Sequence, residues 1–243
     1  MTEPADIPSV LTAELRAMLA GVSTATVTHQ LQMRGMRTTF LSGLKPLLPG
    51  QSMVGRCRTL RYVPHRADMV RQFSAGLNPQ RKASETAEPG DVIIIEARGI
   101  PDAGTVGDIY AMRAFKRGAV GLITDGALRD TPAIAELGYP VYHQSSHGST
   151  WGRHHMPFSS DEPITCAGVF VMPGDVVVGD EEGAVIIPAA LVEEVAKDGV
   201  AQELVESFAI ERVKAGESTV GLFPLSAERR PEYEAWLADK QKG

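Results

Sequence analysis

The sequence has little cysteine, no long apolar run and no excess of basic residues. Its 243 residues include only two cysteines, Cys57 and Cys166, which lie far apart and lack the spacing of a zinc site. Two isolated thiols favour a reducing compartment, so we expect a cytoplasmic protein. The formal net charge of -6 argues against nucleic acid as a ligand, because phosphate binding requires a basic surface.

Signals for a membrane or for export are also missing. No apolar run approaches about 20 residues, the length that spans a bilayer as a helix. The first residues, MTEPADIPSVLTAEL, lack the basic segment and following apolar segment of a signal peptide. We therefore expect no membrane partner.

The residues that are present have the composition of a globular domain, with 43% hydrophobic and 22% charged residues. Single α/β domains often reach this length, and no segment has the composition of a linker. We therefore predict one domain over residues 1–243. N-terminal helices are predicted within 8–45, with the first opening at Pro8, and a C-terminal extension is predicted over 218–243.

Between these ends, apolar spacing predicts a chain of strands and helices. The predicted strands cover 52–62, 92–95, 119–124, 140–142, 176–178 and 184–187. The predicted helices cover 67–73, 109–117, 131–137 and a long segment from 188 to about 216. The polar segment 78–89 is predicted to be a surface loop. Two Pro-Gly-Asp turns, at 89–91 and 173–175, are interpreted as two uses of one turn type.

The most informative segment is GTVGDIYAMRAFKRGAVGLITDGALRD, residues 104–130. Gly104 and Gly107 bracket a turn that leads to Asp108 at the start of a predicted helix. Glycines let a ligand approach the backbone, and free amides at a helix N-terminus bind carboxylates or phosphates. Taken alone, a plain strand-to-helix turn with Asp108 as its N-cap explains the pattern better.

Arg129 and Asp130 follow a predicted buried strand, a position where loops of open α/β folds carry function. A single aspartate can anchor Mg²⁺, which keeps several waters, and an arginine can bind a substrate carboxylate through two parallel hydrogen bonds. A surface salt bridge with an N-cap explains this dipeptide equally well by itself. Combined with the glycine turn, the pattern favours a site for a small oxo-acid on a divalent metal.

The same residues resemble a known family. Asp108, twenty intervening residues, Arg129-Asp130 and then Glu136 are similar to the signature of the class II pyruvate aldolases that act on 4-hydroxy-4-methyl-2-oxoglutarate, whose fold is shared with RraA-like proteins. The resemblance covers roughly residues 50–217, including PGDVVVGDEEGAVIIP. It implies a layered α/β sandwich of the swivelling-domain type, with a central β core and outer helices. It also implies a homo-oligomer, a trimer or a hexamer, with sites between subunits.

The resemblance further implies a role for each site residue. Asp130 is the expected ligand of Mg²⁺ or Mn²⁺, Asp108 the outer carboxylate that holds water, and Arg129 the contact to the oxo-acid. The backbone expected to bind the substrate carboxylate consists of Gly104, Thr105, Val106 and Gly107. A glutamate of the C-terminal helix of a neighbouring subunit is expected to complete the site. Glu206 matches this residue best, with Glu203 as the alternative.

One segment departs from the family pattern. Residues 143–160, HQSSHGSTWGRHHMPFSS, hold His143, His147, His154 and His155. Their Ser- and Gly-rich context is a poor helix, so a zinc site is disfavoured. A substrate-facing loop that supplies histidine and Arg153 donors is favoured slightly over a plain surface loop. If the loop faces the substrate, the substrate is polar, either polyhydroxylated or dicarboxylic.

The expected function is therefore metal-dependent retro-aldol cleavage of a 4-hydroxy-2-oxo acid to pyruvate, with oxaloacetate decarboxylation as a side activity. A non-catalytic RraA-type regulator of ribonuclease E is the first alternative. An enolising lyase or hydratase of sugar-acid catabolism is the second. The aspartate beside the anion-binding turn favours an enzyme, because a regulator has no need of a metal ligand there.

Overall fold

The computed structural model describes residues 9–240, and within them the chain forms eight α-helices and eleven β-strands. The helices are α1 Ala13–Leu19, α2 Thr24–Met33, α3 Val70–Ser74, α4 Pro79–Glu85, α5 Asp108–Arg117, α6 Thr131–Ala135, α7 Val192–Lys214 and α8 Arg230–Lys240. The strands are β1 Lys45–Pro46, β2 Met53–Pro64, β3 Asp91–Glu96, β4 Gly104–Val106, β5 Gly121–Leu128, β6 Val141–Ser146, β7 His155–Ser160, β8 Ile164–Cys166, β9 Val169–Val171, β10 Val176–Gly179 and β11 Ala184–Ile187. The predicted helix start at Pro8 lies outside the described residues.

The centre of the molecule is a mixed sheet. Its main strand order is β1-β6-β5-β3-β2-β10-β11, with β4 added beside β5 and β7 added beside β2. The inner strands β2, β3, β5 and β6 are parallel, and β4 is parallel to β5. The remaining strands of the sheet pair antiparallel to their neighbours. Helices flank this curled sheet, so the predicted α/β class with a central β core is confirmed.

Both faces of β3 and β5 are buried, as the run of β-branched residues in β3 predicts. Val92 and Ile94 belong to one hydrophobic cluster, which also contains residues of β8 and β9. Ile93 and Ile95 belong to a second cluster, which contains residues of α4, α5 and α6. Because successive side chains of a strand point to opposite faces, a single apolar run supplies both layers of the core.

The N-terminal helices α1 and α2, together with α7, cover the part of the sheet formed by β10 and β11. Thr12 caps α1 and Ser23 caps α2, each through a side-chain oxygen that accepts a backbone amide three residues on. Apolar residues of α1, α2 and the first half of α7 pack on β10 and β11. The second half of α7 and α8 form a separate small cluster around Phe208 and Tyr233.

Two predicted loops are wrong. Residues 78–89 contain α4, because Asn78 accepts the Arg81 amide at 3.0 Å and Pro79 occupies the first turn. Most of 143–160 is strand, because β6 and β7 pair with β5 and β2 and leave only 147–154 as their connection. In both segments, a high content of polar residues made a regular element read as a loop.

None of the helices in residues 9–240 combines the length and the apolar character needed to cross a bilayer.

Candidate functional site

A cavity of about 280 Å³ lies where β4 and β5 end and α5 begins. The predicted site residues that line it are Gly104, Thr105, Gly107, Asp108, Arg129 and Asp130. The helix and strand between residues 108 and 128 return the chain to the same edge of the sheet. The predicted convergence of the two ends of this segment is therefore present in the fold.

Gly104 and Gly107 are needed for the packing of the Arg-Asp pair. A Cβ atom on Gly104 would overlap Cγ of Arg129, and one on Gly107 would lie 2.7 Å from Oδ2 of Asp130. The φ of Gly107 is −110°, which any residue adopts, so the requirement is space and not backbone freedom. The two glycines thus let the Arg129 and Asp130 side chains pack directly against the backbone at residues 104 and 107.

The predicted glycine turn is a short strand instead, because residues 104–106 pair with the end of β5. The Gly104 amide donates to the Ser149 carbonyl at 2.9 Å, so it is not free to bind a substrate carboxylate. Val106 is buried in the core beneath α5 and does not line the cavity. Its carbonyl accepts the Arg129 amide at 2.9 Å, which fixes the backbone from which the guanidinium extends.

The Arg129 side chain makes no hydrogen bond to another of the described residues. Its Nε is buried and has no hydrogen-bond partner. Within residues 9–240, no carboxylate forms an ion pair with this guanidinium. A buried donor on a charged group is costly without a partner. An anion in the cavity would supply that partner.

Two carboxylates share the cavity with this cation. Asp108 accepts its neighbour's amide, Ile109 N, through Oδ1 at 2.8 Å, which leaves Oδ2 available. Asp130 has φ 55° and ψ 34°, a left-handed conformation, and its side chain does not cap α6. Neither carboxylate is ion-paired within the described residues. Both are thus available to a cation or a proton.

This donor set suits a hard divalent cation. In the described part of the chain, no three His, Cys, Asp or Glu side chains are grouped to enclose a metal. A bound ion would therefore take most of its ligands from water and from a substrate. Mg²⁺ and Mn²⁺ accept such sites, since oxygen ligands suit both and Mg²⁺ keeps several of its waters.

The backbone behind the cavity is fixed at Thr105. Its carbonyl accepts hydrogen bonds from Tyr62 OH and from Gln80 Nε2, each at 2.8 Å, and its own hydroxyl donates to Ala127 O at 3.0 Å. Burial raises the pKa of Tyr62 well above its usual value, so the phenol stays protonated and remains a donor. Three side-chain bonds thus hold β4 in place.

Several residues of the cavity were not anticipated from the sequence. They are Gln80, Ile109, Tyr110, Thr150 and Trp151. The capping pair Asn78-Pro79 was the signal that could have revealed α4 and hence Gln80. Nothing local marks Thr150 and Trp151, because the pairing of β6 with β5 and of β7 with β2 brings the segment between them to the cavity.

The histidine-rich segment therefore reaches the site, but not through its histidines or Arg153. Arg153 and His154 both contact Asp102 of a neighbouring loop, at 3.3 and 3.0 Å. His155 is buried against the edge of the Tyr62 ring. Burial, with a smaller effect of Arg98, lowers the pKa of His155 to about 4, so it is neutral at pH 7. The predicted histidine and Arg153 donors are wrong.

Within one chain, the predicted glutamates do not line the cavity. Glu206 lines an apolar groove beside α7 and accepts Gln202 Nε2 at 2.7 Å. Glu203 accepts the backbone amide of Ser23 and also its hydroxyl. Glu136 is the exposed C-cap of α6 and does not line the cavity. A contribution of Glu206 to a neighbouring subunit's site stays a prediction.

Comparison with known proteins gives a consistent family. A protein of Halalkalibacterium halodurans named "Putative 4-hydroxy-4-methyl-2-oxoglutarate aldolase" is 33% identical over 62% of this chain and 67% of its own length. DlpA of Legionella pneumophila is 26% identical over 94% of this chain, which spans only 35% of DlpA. The crystal structure of Streptomyces coelicolor RraAS2, described as an unusual member of the RNase ES inhibitor RraA family, matches with a TM-score of 0.75 and 31% identity. That match covers 85% of this chain and 98% of RraAS2.

The family model described as "RraA-like: Aldolase/RraA" matches residues 24–186. This range includes every residue of the cavity and all of the sheet except Ile187 at the end of β11, and it ends before α7 and α8. From the matched range, the shared fold and the resemblance of the 104–130 segment, we conclude that the chain belongs to the RraA-like (Aldolase/RraA) family.

Proposed function

We propose that this chain is a divalent-metal-dependent lyase that cleaves a 4-hydroxy-2-oxo acid to pyruvate by a retro-aldol reaction. One observation carries the proposal: an arginine with a buried, unpartnered Nε and two carboxylates without ion pairs converge in one cavity. The aldolase name of the Halalkalibacterium halodurans relative supports the reaction class. Oxaloacetate decarboxylation is an expected side activity, because it passes through the same pyruvate enolate.

In this proposal Arg129 binds the oxo-acid. Its planar guanidinium meets the carboxylate and the oxygen that becomes negative in the enolate. Asp130 holds the divalent cation. A Mg²⁺ or Mn²⁺ ion there would supply Lewis-acid polarisation of the 2-oxo group. The fixed β4 backbone and the first turn of α5 hold the substrate against these side chains.

Asp108 removes the proton in the proposed reaction. Its free Oδ2 accepts the C4 hydroxyl proton through an ordered water. The C3–C4 bond then breaks, and C4 becomes the carbonyl carbon of the released aldehyde or ketone. The electron pair of that bond passes into the pyruvate enolate, which takes up a proton at C3 to give pyruvate.

Glu206 and the oligomer belong to the same proposal. Glu206 lies in an apolar groove on α7, with Ile210 and Phe223 each more than half exposed beside it. We propose that this surface packs on a second copy in a trimer or hexamer, and that Glu206 reaches that copy's cavity. Glu206→Ala is then expected to lower turnover while the fold stays intact.

The direct test is pyruvate release, measured through lactate dehydrogenase. The panel contains 4-hydroxy-4-methyl-2-oxoglutarate, oxaloacetate and other 4-hydroxy-2-oxo acids, each with Mg²⁺, with Mn²⁺ and with EDTA. We expect release that EDTA abolishes, that Asp130→Asn lowers at least about 100-fold, and that Arg129→Lys also lowers. Wild-type rates in Asp130→Asn, or release unaffected by EDTA, would contradict the proposal.

A second candidate function is that of a non-catalytic regulator of ribonuclease E. The specific observation in its favour is the match to RraAS2, whose description places it in an RNase inhibitor family. An inhibition assay with a purified RNase E-type enzyme separates the two. Inhibition without pyruvate release from any acid of the panel would favour the regulator.

A further inference from the structure

We infer that the tail of the substrate is uncharged and carries a hydroxyl group, and that Gln80 is the residue that selects it. The inference rests on the proposed retro-aldol function and adds the substrate class. It concerns the group attached to C4, at the end remote from the carboxylate that Arg129 binds.

Charge in the cavity is the first argument. Arg129 is the single cationic side chain among the residues that line the described cavity. One carboxylate of the substrate can pair with it. A second carboxylate on the tail would lie near Asp108 and would find no second cationic side chain among these residues, so like-charge repulsion disfavours it.

Two arginines of neighbouring segments do not remove this difficulty, because both are already engaged. Arg81 donates to the Tyr110 hydroxyl at 3.2 Å and to the Gly76 carbonyl at 2.7 Å. Arg153 pairs with Asp102. Neither lines the cavity. A dicarboxylic substrate would have to break one of these contacts to obtain a second cationic side chain from this chain.

The neutral polar wall is the second argument. It consists of Gln80, Tyr110 and Thr150, with the Trp151 ring beside them. Gln80 is only 3% exposed and its Nε2 is committed to Thr105 O. Since a carbonyl can only accept, this bond fixes the carboxamide orientation and leaves Oε1 as an acceptor. No donor from the described residues bonds to Oε1. A substrate hydroxyl can donate to it, whereas a carboxylate would be repelled.

Three acids that differ only at C5 test the inference. They are 4,5-dihydroxy-2-oxopentanoate, 4-hydroxy-2-oxopentanoate and 4-hydroxy-2-oxoglutarate, which carry a hydroxymethyl, a methyl and a carboxylate group at that end. With the wild-type protein and its divalent metal, we expect kcat/KM for pyruvate release to be highest for the hydroxymethyl acid. Its advantage over each of the others is expected to be about tenfold or more.

Two variants distinguish selection of the substrate tail by Gln80 from support of the β4 backbone by the same residue. Gln80→Leu removes the acceptor, and we expect the preference for hydroxymethyl over methyl to fall to within about twofold. Tyr62→Phe removes the other hydrogen bond to the same Thr105 carbonyl from outside the cavity. We expect it to lower all three rates by a similar factor and to leave the preference intact. Thermal unfolding of both variants verifies that they fold.

Each outcome has one meaning. A wild-type preference for the carboxylate acid, or an unchanged preference in a folded Gln80→Leu variant, overturns the inference while the aldolase function stands. If Tyr62→Phe lost the preference as much as Gln80→Leu does, Gln80 would act only by supporting β4, and its role in selecting the substrate would be overturned. No pyruvate from any acid, in this set or in the wider panel, overturns the proposed function and this inference together.

Discussion

At the scale of single residues, the site depends on two glycines, Gly104 and Gly107, which have no side chain to occupy the space next to them. Because neither glycine has a Cβ atom, the Arg129 and Asp130 side chains can occupy the space beside them. The sequence pattern predicted that these glycines matter, but assigned them to the approach of a ligand. The structure shows instead that the glycines are required for steric reasons. This requirement is seen only once the fold brings residues 104–107 next to residues 129–130.

Gly107→Ala is therefore expected to displace the Asp130 carboxylate without unfolding the chain. The added methyl would lie 2.7 Å from Oδ2, while its backbone φ suits alanine. We expect Mn²⁺ binding, followed by calorimetry, and metal-dependent pyruvate release each to weaken about tenfold or more. Gly148→Ala is the matched control, because nothing lies within 4 Å of its Cβ position. Unchanged Mn²⁺ affinity in Gly107→Ala would contradict this account.

At the scale of elements, the strongly patterned segments were predictable. The apolar run of β3, the amphipathic α5 with its left-handed Gly118 and the long α7 all lie where spacing indicates. The two Pro-Gly-Asp turns are indeed alike. Gly90 and Gly174 both have positive φ, and Asp91 and Asp175 each accept the amide three residues before. Both turns lead into strands that flank β2.

Polar elements were not predictable in this way, and α4 is the clearest case. Its sequence PQRKASE has no apolar stripe, yet Gln80, Ala83 and Ser84 are buried against the sheet. The helix is identified by its cap and not by its periodicity. The polar residues of β6 and β7 were misread for the same reason, since their strand character comes from pairing.

The cap predicts the behaviour of α4. We expect Asn78→Ala to lower the free energy of unfolding by about 1 kcal/mol, because the Arg81 amide and the Ser74 carbonyl both lose a partner. Since α4 carries Gln80, the Michaelis constant for the preferred acid should rise as well. Urea unfolding and steady-state kinetics measure the two effects. Asn78→Asp keeps the acceptor and serves as the control, and equal losses in both variants would argue against the cap.

At the scale of the whole molecule, the chain has a family core and a separate C-terminal part. The matched family range ends at residue 186, before α7 begins. Phe208, Tyr233 and Trp236 form an aromatic group with centroid separations of 5.7 to 6.1 Å. This cluster shares no residue with the three clusters around the sheet. The predicted extension over 218–243 thus contains a helix that packs on the end of α7.

This separation predicts local and not global unfolding. Phe208 is fully buried, so Phe208→Ala is expected to cost about 3–5 kcal/mol within its own cluster. Amide hydrogen exchange should accelerate over residues 204–240 while β3 and β5 stay protected. Phe170→Ala, at a residue that is 65% exposed, is the control and should leave both regions unchanged. Faster exchange spread equally through the sheet would contradict the separation.

The sequence by itself determined the buried strands β3 and β5, because hydrophobic periodicity is a local signal. Its resemblance to a known family implied the α/β class and the site residues of the 104–130 segment. Only the tertiary structure decided which residues face the cavity. Gln80, Thr150 and Trp151 reach it from α4 and from the connection between β6 and β7, and Glu206 lies on a different surface. Contacts between segments far apart in sequence come from strand pairing and helix packing, and no window of the chain contains that information.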